Sequence, residues 1–323
     1  MVVSVSVMGA GVVVVTIWVV RRVRGRKRVQ ANSDAPPSAI TKAEQQAAAA
    51  TNIMPLEPIL LGPYELKRML GRGAMATVYQ ARDTRDDRIL AIKVVSQEHR
   101  QNRDFRRRFQ REVELSQPLR HPNLVAVYEA VKLEEDLFMT MEWVDGVMLE
   151  DLLANGPLPL ESFPALAVQM LAGLHFAHKR HLFHRDIKPA NIMVNQAGEA
   201  KILDFGLAIE EGQARFTNMG FSMGTPSHMA PEMLTKGISN AHTDQYALGV
   251  TFYQMLTGRC PFQASNPMEL GLMHVQATPP PPITLRSEIP ITWQQIILKM
   301  LAKTPDQRYN DLAQIQTLIT QSS

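Results

Sequence analysis

The residues most able to do chemistry lie in one short loop in the middle of the chain. Asp186 is followed two residues later by Lys188 and five residues later by Asn191. Because Pro189 keeps the segment out of a regular helix, an acid, a cation and a neutral oxygen ligand gather in one loop. Phosphoryl transfer needs a carboxylate for the attacking hydroxyl, a cation for the migrating charge and an oxygen for Mg²⁺. The loop therefore predicts phosphoryl-transfer chemistry.

A second carboxylate and a lysine in an apolar strand extend this set. Asp204 follows a short strand predicted at 200–203, and we expect it to be a second metal ligand. Lys93 stands in an otherwise apolar strand, where its charge needs a partner or a ligand to offset the loss of hydration. Glu112, on the predicted helix that follows, is the expected partner.

A turn that contains glycines, between two predicted strands, could hold phosphate groups. Gly71 and Gly73 would let the backbone approach phosphate oxygens, because neither residue has a Cβ atom. The segment from Leu70 to Val78 lacks the Gly-Lys-Ser/Thr sequence of the Walker motif, which argues against a P-loop NTPase. The Gly-x-Gly spacing is weak by itself, since ordinary hairpins contain it too.

The order of the predicted elements indicates the fold class. We predict strands at 64–70, 76–82, 89–96, 125–131 and 137–144, and helices at 105–117, 163–178, 244–257 and 293–302. Strands dominate the first part and helices the second. This order predicts an α+β protein with two lobes, one β-rich and one mainly α-helical.

Charge and cysteine content narrow the range of partners. Six of the 34 basic residues lie in one run, Arg21 to Arg28, which leaves 28 basic against 31 acidic residues in the rest of the chain. The folded part is therefore not basic, and we expect no nucleic-acid binding. Cys260 is the only cysteine, which excludes an internal disulfide and a cysteine-based metal cluster.

Taken together, the motifs resemble the signature set of eukaryotic-type protein kinases. The resemblance extends over about 260 residues, from Tyr64 to the C-terminus, in the family's order and spacing. It implies a bilobal kinase domain at 63–320, with an N-lobe at 63–144 and a C-lobe at 145–320. It also implies ATP as the phosphate donor, Mg²⁺ as the cofactor with Mn²⁺ as a substitute, and protein substrates.

The resemblance implies a role for each matching position. Asp186 would be the catalytic base and Lys188 would stabilise the γ-phosphate, while Lys93, paired with Glu112, would hold the α- and β-phosphates. The metal ligands would be Asn191 and Asp204, and the positions in contact with ATP would be Leu70, Gly71, Arg72, Gly73, Ala74, Val78, Ala91, Lys93, Met141, Glu142 and Val144.

Other matching positions would support the site. The backbone of Met141, Glu142 and Val144 would form the hinge that reads the edge of adenine. Glu232 would form a buried pair with Arg308, and Asp244 would hold the catalytic loop. His184 would then be structural and not a metal ligand.

Two features assign the acceptor hydroxyl. Lys188 and Thr225 match the residues typical of serine/threonine kinases and not those of tyrosine kinases. The segment 306–309 is similar to bacterial members of the eukaryotic-like group.

The chain departs from the family pattern at Ala76, which replaces the third glycine of the loop and should reduce loop flexibility at most. We expect autophosphorylation at Thr217 or Ser222, in the activation segment.

The N-terminal residues have the pattern of a membrane anchor. Residues 1–20 carry no charge and would span about 30 Å as a helix, which is one bilayer core. The basic run follows this segment and does not precede it, which favours a single transmembrane helix over a cleaved signal peptide. Because Lys/Arg-rich flanks stay in the cytoplasm, we predict a single-pass membrane protein with a cytoplasmic kinase domain. A basic juxtamembrane segment and flexible linker at 21–62 would join the two, and lateral pairing into a dimer stays open.

Two other functions are open at this point. A catalytically weak scaffold that holds nucleotide and partners would carry much of the same sequence. A small-molecule phosphotransferase of related fold would lack the Ala-Pro-Glu segment that is present at 230–232. The charged catalytic positions are all present, which favours an active protein kinase.

Overall fold

The first part of the described chain is built on one antiparallel sheet. The computed structural model describes residues 59–73, 75–133, 136–205 and 226–322, which belong to one compact unit. Six strands lie in the order β1-β2-β3-β4-β6-β5. They are β1 (Ile59–Leu61), β2 (Tyr64–Arg72), β3 (Ala76–Asp83), β4 (Ile89–Val95), β5 (Val127–Leu133) and β6 (Asp136–Glu142). A short helix, α1 (Gln97–Arg100), follows β4.

Strand β4 is apolar along nearly its whole length because both faces of the sheet are covered there. Residues 90, 92 and 94 pack into one hydrophobic cluster, and Ala91 and Val95 pack into another. Side chains alternate between the two faces of a strand, so Lys93 lies on the same face as Ala91 and Val95. The strand thus places one lysine on the face that a helix covers.

Helix α2 (Arg103–Ser116) covers this face of the sheet. Asn102 caps its N-terminus, and the side-chain oxygen accepts two backbone N–H groups at 2.9 and 3.0 Å. Phe109 and Val113 lie one turn apart and pack into the cluster that contains Ala91. Glu112 belongs to this helix, and its side chain lies outside the part of the chain that the structure describes.

The second part is mainly helical and surrounds one buried helix, α6 (Ala241–Thr257). A capping box between Asn240 and Thr243 begins this helix, and Gly258 ends it with a φ of 77°. The other helices are α3 (Leu149–Leu153), α4 (Phe163–His178), α5 (Pro231–Lys236), α7 (Pro267–Gln276), α8 (Ile291–Met300) and α9 (Leu312–Gln321). A small antiparallel sheet consists of β7 (Gly146–Met148), β8 (Ile192–Asn195) and β9 (Ala200–Ile202), in that order.

This architecture confirms the predicted α+β fold with a β-rich and a helical lobe. Helix α4 has the bounds predicted for it. The sheet begins before the predicted domain start at residue 63, because Ile59–Leu61 pairs with β2 and Leu61 is buried. Gly62, with a φ of 60°, turns the chain between the two strands. A three-residue strand next to a Gly-Pro turn gives too short a pattern to be recognised as a strand.

The predicted membrane anchor at 1–20 and most of the predicted linker at 21–62 lie outside the described residues. Within the described ranges, no helix combines the length and the apolar character that crossing a bilayer requires. The anchor and the linker therefore stay predictions.

A buried ion pair joins α5 to the segment before α9. The guanidinium of Arg308 donates to both carboxylate oxygens of Glu232, at 2.7 and 2.8 Å. It also donates to the carbonyl oxygens of Ala302 and His242, each at 2.8 Å. The predicted pairing of Glu232 with Arg308 is confirmed, and its donors and acceptors are used in a bidentate arrangement.

We expect Arg308→Met to destabilise the protein strongly, because it leaves the Glu232 carboxylate buried without its partner. The expected loss in the free energy of unfolding is about 3–5 kcal/mol, measured by urea denaturation. The matched control is Lys179→Met, which removes an exposed partner of Asp311 at 3.4 Å and should cost less than about 1 kcal/mol. Equal small losses in both variants would contradict this assignment.

Candidate active site

The backbone of the catalytic loop is held by one buried carboxylate on helix α6. Asp244 Oδ1 accepts the N–H of Arg185 at 2.8 Å, and Oδ2 accepts the N–H of His184 at 2.7 Å. The Nε2 atom of His178 lies 2.8 Å from Oδ2. Burial acts to raise the pKa of Asp244, but the hydrogen bonds and charge of its partners outweigh burial and lower this pKa. The predicted role of Asp244 in holding the loop is confirmed by these contacts.

His184 connects the loop to the strand that precedes Asp204. The N–H of Asp186 donates to His184 Nδ1 at 3.3 Å, so Nε2 carries the ring proton and donates to the carbonyl oxygen of Leu203 at 2.6 Å. Burial lowers the pKa of the imidazole, which keeps the ring neutral and suits this arrangement. His184 is thus a structural residue, as expected.

The three chemical groups of the loop are in direct contact. Lys188 Nζ donates to Asp186 Oδ2 at 2.8 Å, and Asn191 Nδ2 donates to the same oxygen at 2.9 Å. Asn191 Nδ2 also donates to the backbone oxygen of Asp186 at 2.7 Å. Because the amide nitrogen of Asn191 is used within the loop, its oxygen Oδ1 is the end of the side chain suited to a metal ion.

Asp204 lies between this loop and the β-rich lobe. The N–H of Leu203 donates to the backbone oxygen of Asn191 at 2.9 Å, which fixes the position of the next residue. Asp204 itself has a φ of 40°, in the left-handed region that non-glycine residues rarely adopt. Its Oδ2 lies 3.0 Å from Lys93 Nζ, so the lysine of β4 reaches the carboxylate of the other lobe. The pairing of Lys93 with Glu112 stays a prediction, since the Glu112 side chain is outside the described part.

Five of the positions predicted to contact ATP lie in one apolar cluster. Ala91, Met141 and Val144 are buried in it, and Leu70 and Val78 pack against it. Two residues of the helical lobe also pack there, Met193 on β8 and Leu203 after β9. The sequence reasoning missed both, although Met193 follows the catalytic loop at the second position after Asn191.

The predicted phosphate loop is the turn between β2 and β3. Gly71 pairs with Val78 and Arg72 with Thr77, and the N–H of Gly73 donates to the oxygen of Ala76 at 2.9 Å. Ala74 lies outside the described residues. Among the described atoms, none lies within 4 Å of the place where a Cβ on Gly71 would be, so the space beside this turn is open to a ligand. Ala76 is the first residue of strand β3.

Glu142, one of the predicted hinge residues, makes an ion pair that the sequence reasoning did not predict. Glu142 Oε1 lies 2.7 Å from Lys201 Nζ on β9, and Oε2 accepts the N–H of Ala126 at 3.2 Å. The sequence around Lys201 is typical of a short strand with an exposed residue at this position. Only the approach of two segments far apart in sequence reveals the contact.

The donor set fits Mg²⁺ bound together with phosphate groups. Across the described residues, no three His, Cys, Asp or Glu side chains lie close enough to hold a metal ion by themselves. Mg²⁺ is usually held by one or two carboxylates with substrate phosphates and water as the other ligands. Asp204 and the oxygen of Asn191 would supply the protein's share of such a site, with Lys93 Nζ 3.0 Å from Asp204.

Comparison with known proteins places this geometry in a family. The protein kinase domain family matches residues 64–320. The serine/threonine-protein kinase PrkC of Bacillus subtilis is 34% identical over 249 residues, which cover 77% of this chain and 38% of PrkC. The serine/threonine-protein kinase PknB of Mycobacterium leprae is 34% identical over 269 residues, which cover 81% of this chain and 43% of PknB. The chain thus spans about two fifths of the length of these curated relatives.

A solved structure supports the same assignment. The crystal structure of the Mycobacterium tuberculosis PknI kinase domain matches with a TM-score of 0.65 and 27% sequence identity, over 82% of this chain and 98% of that domain. Together with the family match, it confirms the resemblance inferred from the motifs. The chain therefore belongs to the protein kinase family, and the curated relatives PrkC and PknB are bacterial serine/threonine kinases.

Proposed function

We propose that the whole protein is an ATP-dependent serine/threonine protein kinase, which transfers the γ-phosphate of ATP to hydroxyl groups of protein substrates. The observation that carries this proposal is the contact network that joins Lys93, Asp204, Asn191 and Asp186 across the two lobes. Phosphoryl transfer relies on positioning and charge stabilisation more than on covalent chemistry, and this network supplies both.

The polar residues of the site have distinct roles in the proposed reaction. Lys188 and Asn191 both donate to Oδ2 of Asp186, so Oδ1 is the atom that accepts the proton of the substrate hydroxyl. Lys188 stays beside the transferred group and offsets its negative charge. Lys93 would bind the α- and β-phosphates, and Asn191 and Asp204 would hold Mg²⁺. When bound, Mg²⁺ would neutralise charge on the phosphates.

Serine and threonine are the proposed acceptors. The support is Lys188 in the catalytic loop and the names of the curated relatives PrkC and PknB, both serine/threonine kinases. Thr225, the other sequence feature of this class, lies outside the described residues, as do the proposed autophosphorylation sites Thr217 and Ser222.

We expect the purified full chain with Mg²⁺ and labelled ATP to phosphorylate peptides that present Ser or Thr but not Tyr. Asp186→Asn should lower the rate by about 10²- to 10⁴-fold, since it removes the proton acceptor. Asp151→Asn, on the exposed surface of α3, is the matched control and should retain the full rate.

Equal labelling by the Asp186→Asn variant would count against Asp186 as the base. A wild-type chain that binds nucleotide without labelling any peptide would instead support the scaffold function. Phosphopeptide mapping of the same reaction tests autophosphorylation, and active protein unmodified at Thr217 and at Ser222 would refute it.

We propose that the N-terminal segment anchors the kinase to a membrane, with the kinase domain on the cytoplasmic side. The support is the uncharged stretch at 1–20 followed by the basic run at 21–28. Basic residues at this place also favour contact with anionic headgroups. A dimer formed by lateral pairing in the bilayer is compatible with this arrangement.

Alkaline carbonate extraction of cell membranes tests the anchor. The full chain should stay with the membrane pellet, and a chain lacking residues 1–20 should be released. A deletion of residues 43–50 in the proposed linker is the control and should not release the protein. Retention of the chain that lacks 1–20 would overturn the proposed anchor.

A further inference from the structure

Three segments that are distant in sequence meet behind the proposed hinge. They are the end of β6 at Glu142, the segment 123–126 between α2 and β5, and strand β9, which leads into Asp204. The segments belong to different lobes, because β6 lies in the large sheet and β9 in the small one. Their meeting point therefore joins the adenine side of the site to its phosphate side.

Backbone hydrogen bonds fix segment 123–126 to β9. The N–H of Val125 donates to the oxygen of Ile202 at 3.0 Å, and the N–H of Ile202 donates to the oxygen of Asn123 at 2.9 Å. The side chain of Asn123 adds a bond to the oxygen of Ala200 at 2.9 Å. This piece of the β-rich lobe thus continues the small sheet as a short parallel partner of β9.

The side chains of Glu142 and Lys201 extend this junction to the hinge. Lys201 Nζ lies 2.7 Å from Glu142 Oε1, and the side chains are 15% and 27% exposed for Lys201 and Glu142. Two hydrogen bonds also join Ala126 and Glu142. The N–H of Glu142 donates to the backbone oxygen of Ala126 at 2.8 Å, and the N–H of Ala126 donates to Glu142 Oε2 at 3.2 Å. A half-buried, hydrogen-bonded pair of this kind is held more rigidly than an exposed one.

We propose that Lys201 is a positioning residue for nucleotide binding, which acts through Glu142. The proposal rests on the proposed kinase function, because it gives the hinge and Asp204 their roles. Lys201 precedes Asp204 by three residues, and Glu142 precedes Val144 by two. The ion pair thus sets the distance between the backbone that reads adenine and the carboxylate that holds the metal ion.

The ion pair contributes to nucleotide affinity through preorganisation of the site. Nucleotide binding costs less free energy of ordering when the two halves of the site already have their bound arrangement. Without Lys201, the Glu142 carboxylate keeps the amide of Ala126 but loses its counter-charge, so the hinge rearranges to hydrate it. Nucleotide then binds to a site that must be reassembled.

The test measures ADP affinity and kinetics of the full chain. Lys201→Met should raise the Kd for Mg²⁺-ADP and the KM for ATP by about five- to tenfold, with kcat changed by less than about twofold. Lys201→Arg, which keeps the charge, should restore both constants. Lys179→Met, whose partner Asp311 lies in an exposed pair on α9's N-terminus, is the matched control and should leave both constants unchanged.

A double-mutant cycle separates the pair from unrelated effects. Glu142→Gln should raise the Kd for ADP as Lys201→Met does, and the double variant should be no worse than either single one. A merely structural role would lower the midpoint of thermal unfolding and the active fraction, and would leave the Kd and KM of the folded protein unchanged.

Three results would overturn the proposal. The first is a Kd for ADP in Lys201→Met within twofold of the wild-type value, and the second is additive effects of Lys201→Met and Glu142→Gln on this Kd. The third is a rise in kcat of Lys201→Met, which would mean that the ion pair of Lys201 with Glu142 restrains movement of the lobes. If the wild-type chain binds ADP but phosphorylates no peptide, the proposed kinase function alone is refuted. The Kd for ADP of Lys201→Met can then still be compared with that of the wild type. A chain that binds no ADP would refute both.

Discussion

The arrangement of the site depends on one buried carboxylate, that of Asp244. It accepts the backbone N–H groups of His184 and Arg185 and contacts His178, so it fixes the loop backbone just before Asp186. An ionised carboxylate is costly to bury, and here the hydrogen bonds that it accepts offset this cost. Because Asp244 lies on α6, the most buried helix, the loop takes its position from the centre of the helical lobe.

From this point the contacts lead outward to the other lobe. The imidazole ring of His184 donates a hydrogen bond to the carbonyl oxygen of Leu203, which directly precedes Asp204. Asp204 in turn lies 3.0 Å from Lys93, which the alternation of β4 places on the helix-covered face of the sheet. The ion pair of Lys201 with Glu142 is a second link between the lobes, on the adenine side of the site.

The local motifs predicted the catalytic loop well, and for a physical reason. Asp186, Lys188 and Asn191 lie within six residues, so their types and spacing alone bring the groups together. Apolar residues at every second position likewise indicated the strands, and the spacing of apolar residues in α4 indicated a helix. The pair of Glu232 with Arg308 and the role of Asp244 came from the family resemblance, since nothing local indicates a partner many residues away.

Contacts between distant segments are what the sequence did not provide. Lys201 and Met193 lie on short strands whose patterns show no chemistry, and their roles follow only from which segments pack beside them. Strand β1 lies within the range predicted as linker, because three residues beside a turn are too few for a periodic signal. The side chain of Glu112, Ala74 and residues 206–225 lie outside the described part of the chain, so their predicted roles rest on the sequence.

The most direct test of this account is the behaviour of the loop in Asp244→Asn, followed by amide hydrogen exchange and peptide phosphorylation. The variant keeps the size of the side chain and loses the charge that accepts the two backbone bonds. A hydrogen bond to a charged group contributes about 1.5–3 kcal/mol, so exchange at residues 184–186 should accelerate by about 10- to 150-fold, with a matching loss of activity. Exchange in strands β3 and β4 should stay unchanged. If residues 184–186 exchanged at the wild-type rate in a fully active variant, Asp244 would not be the support of the site.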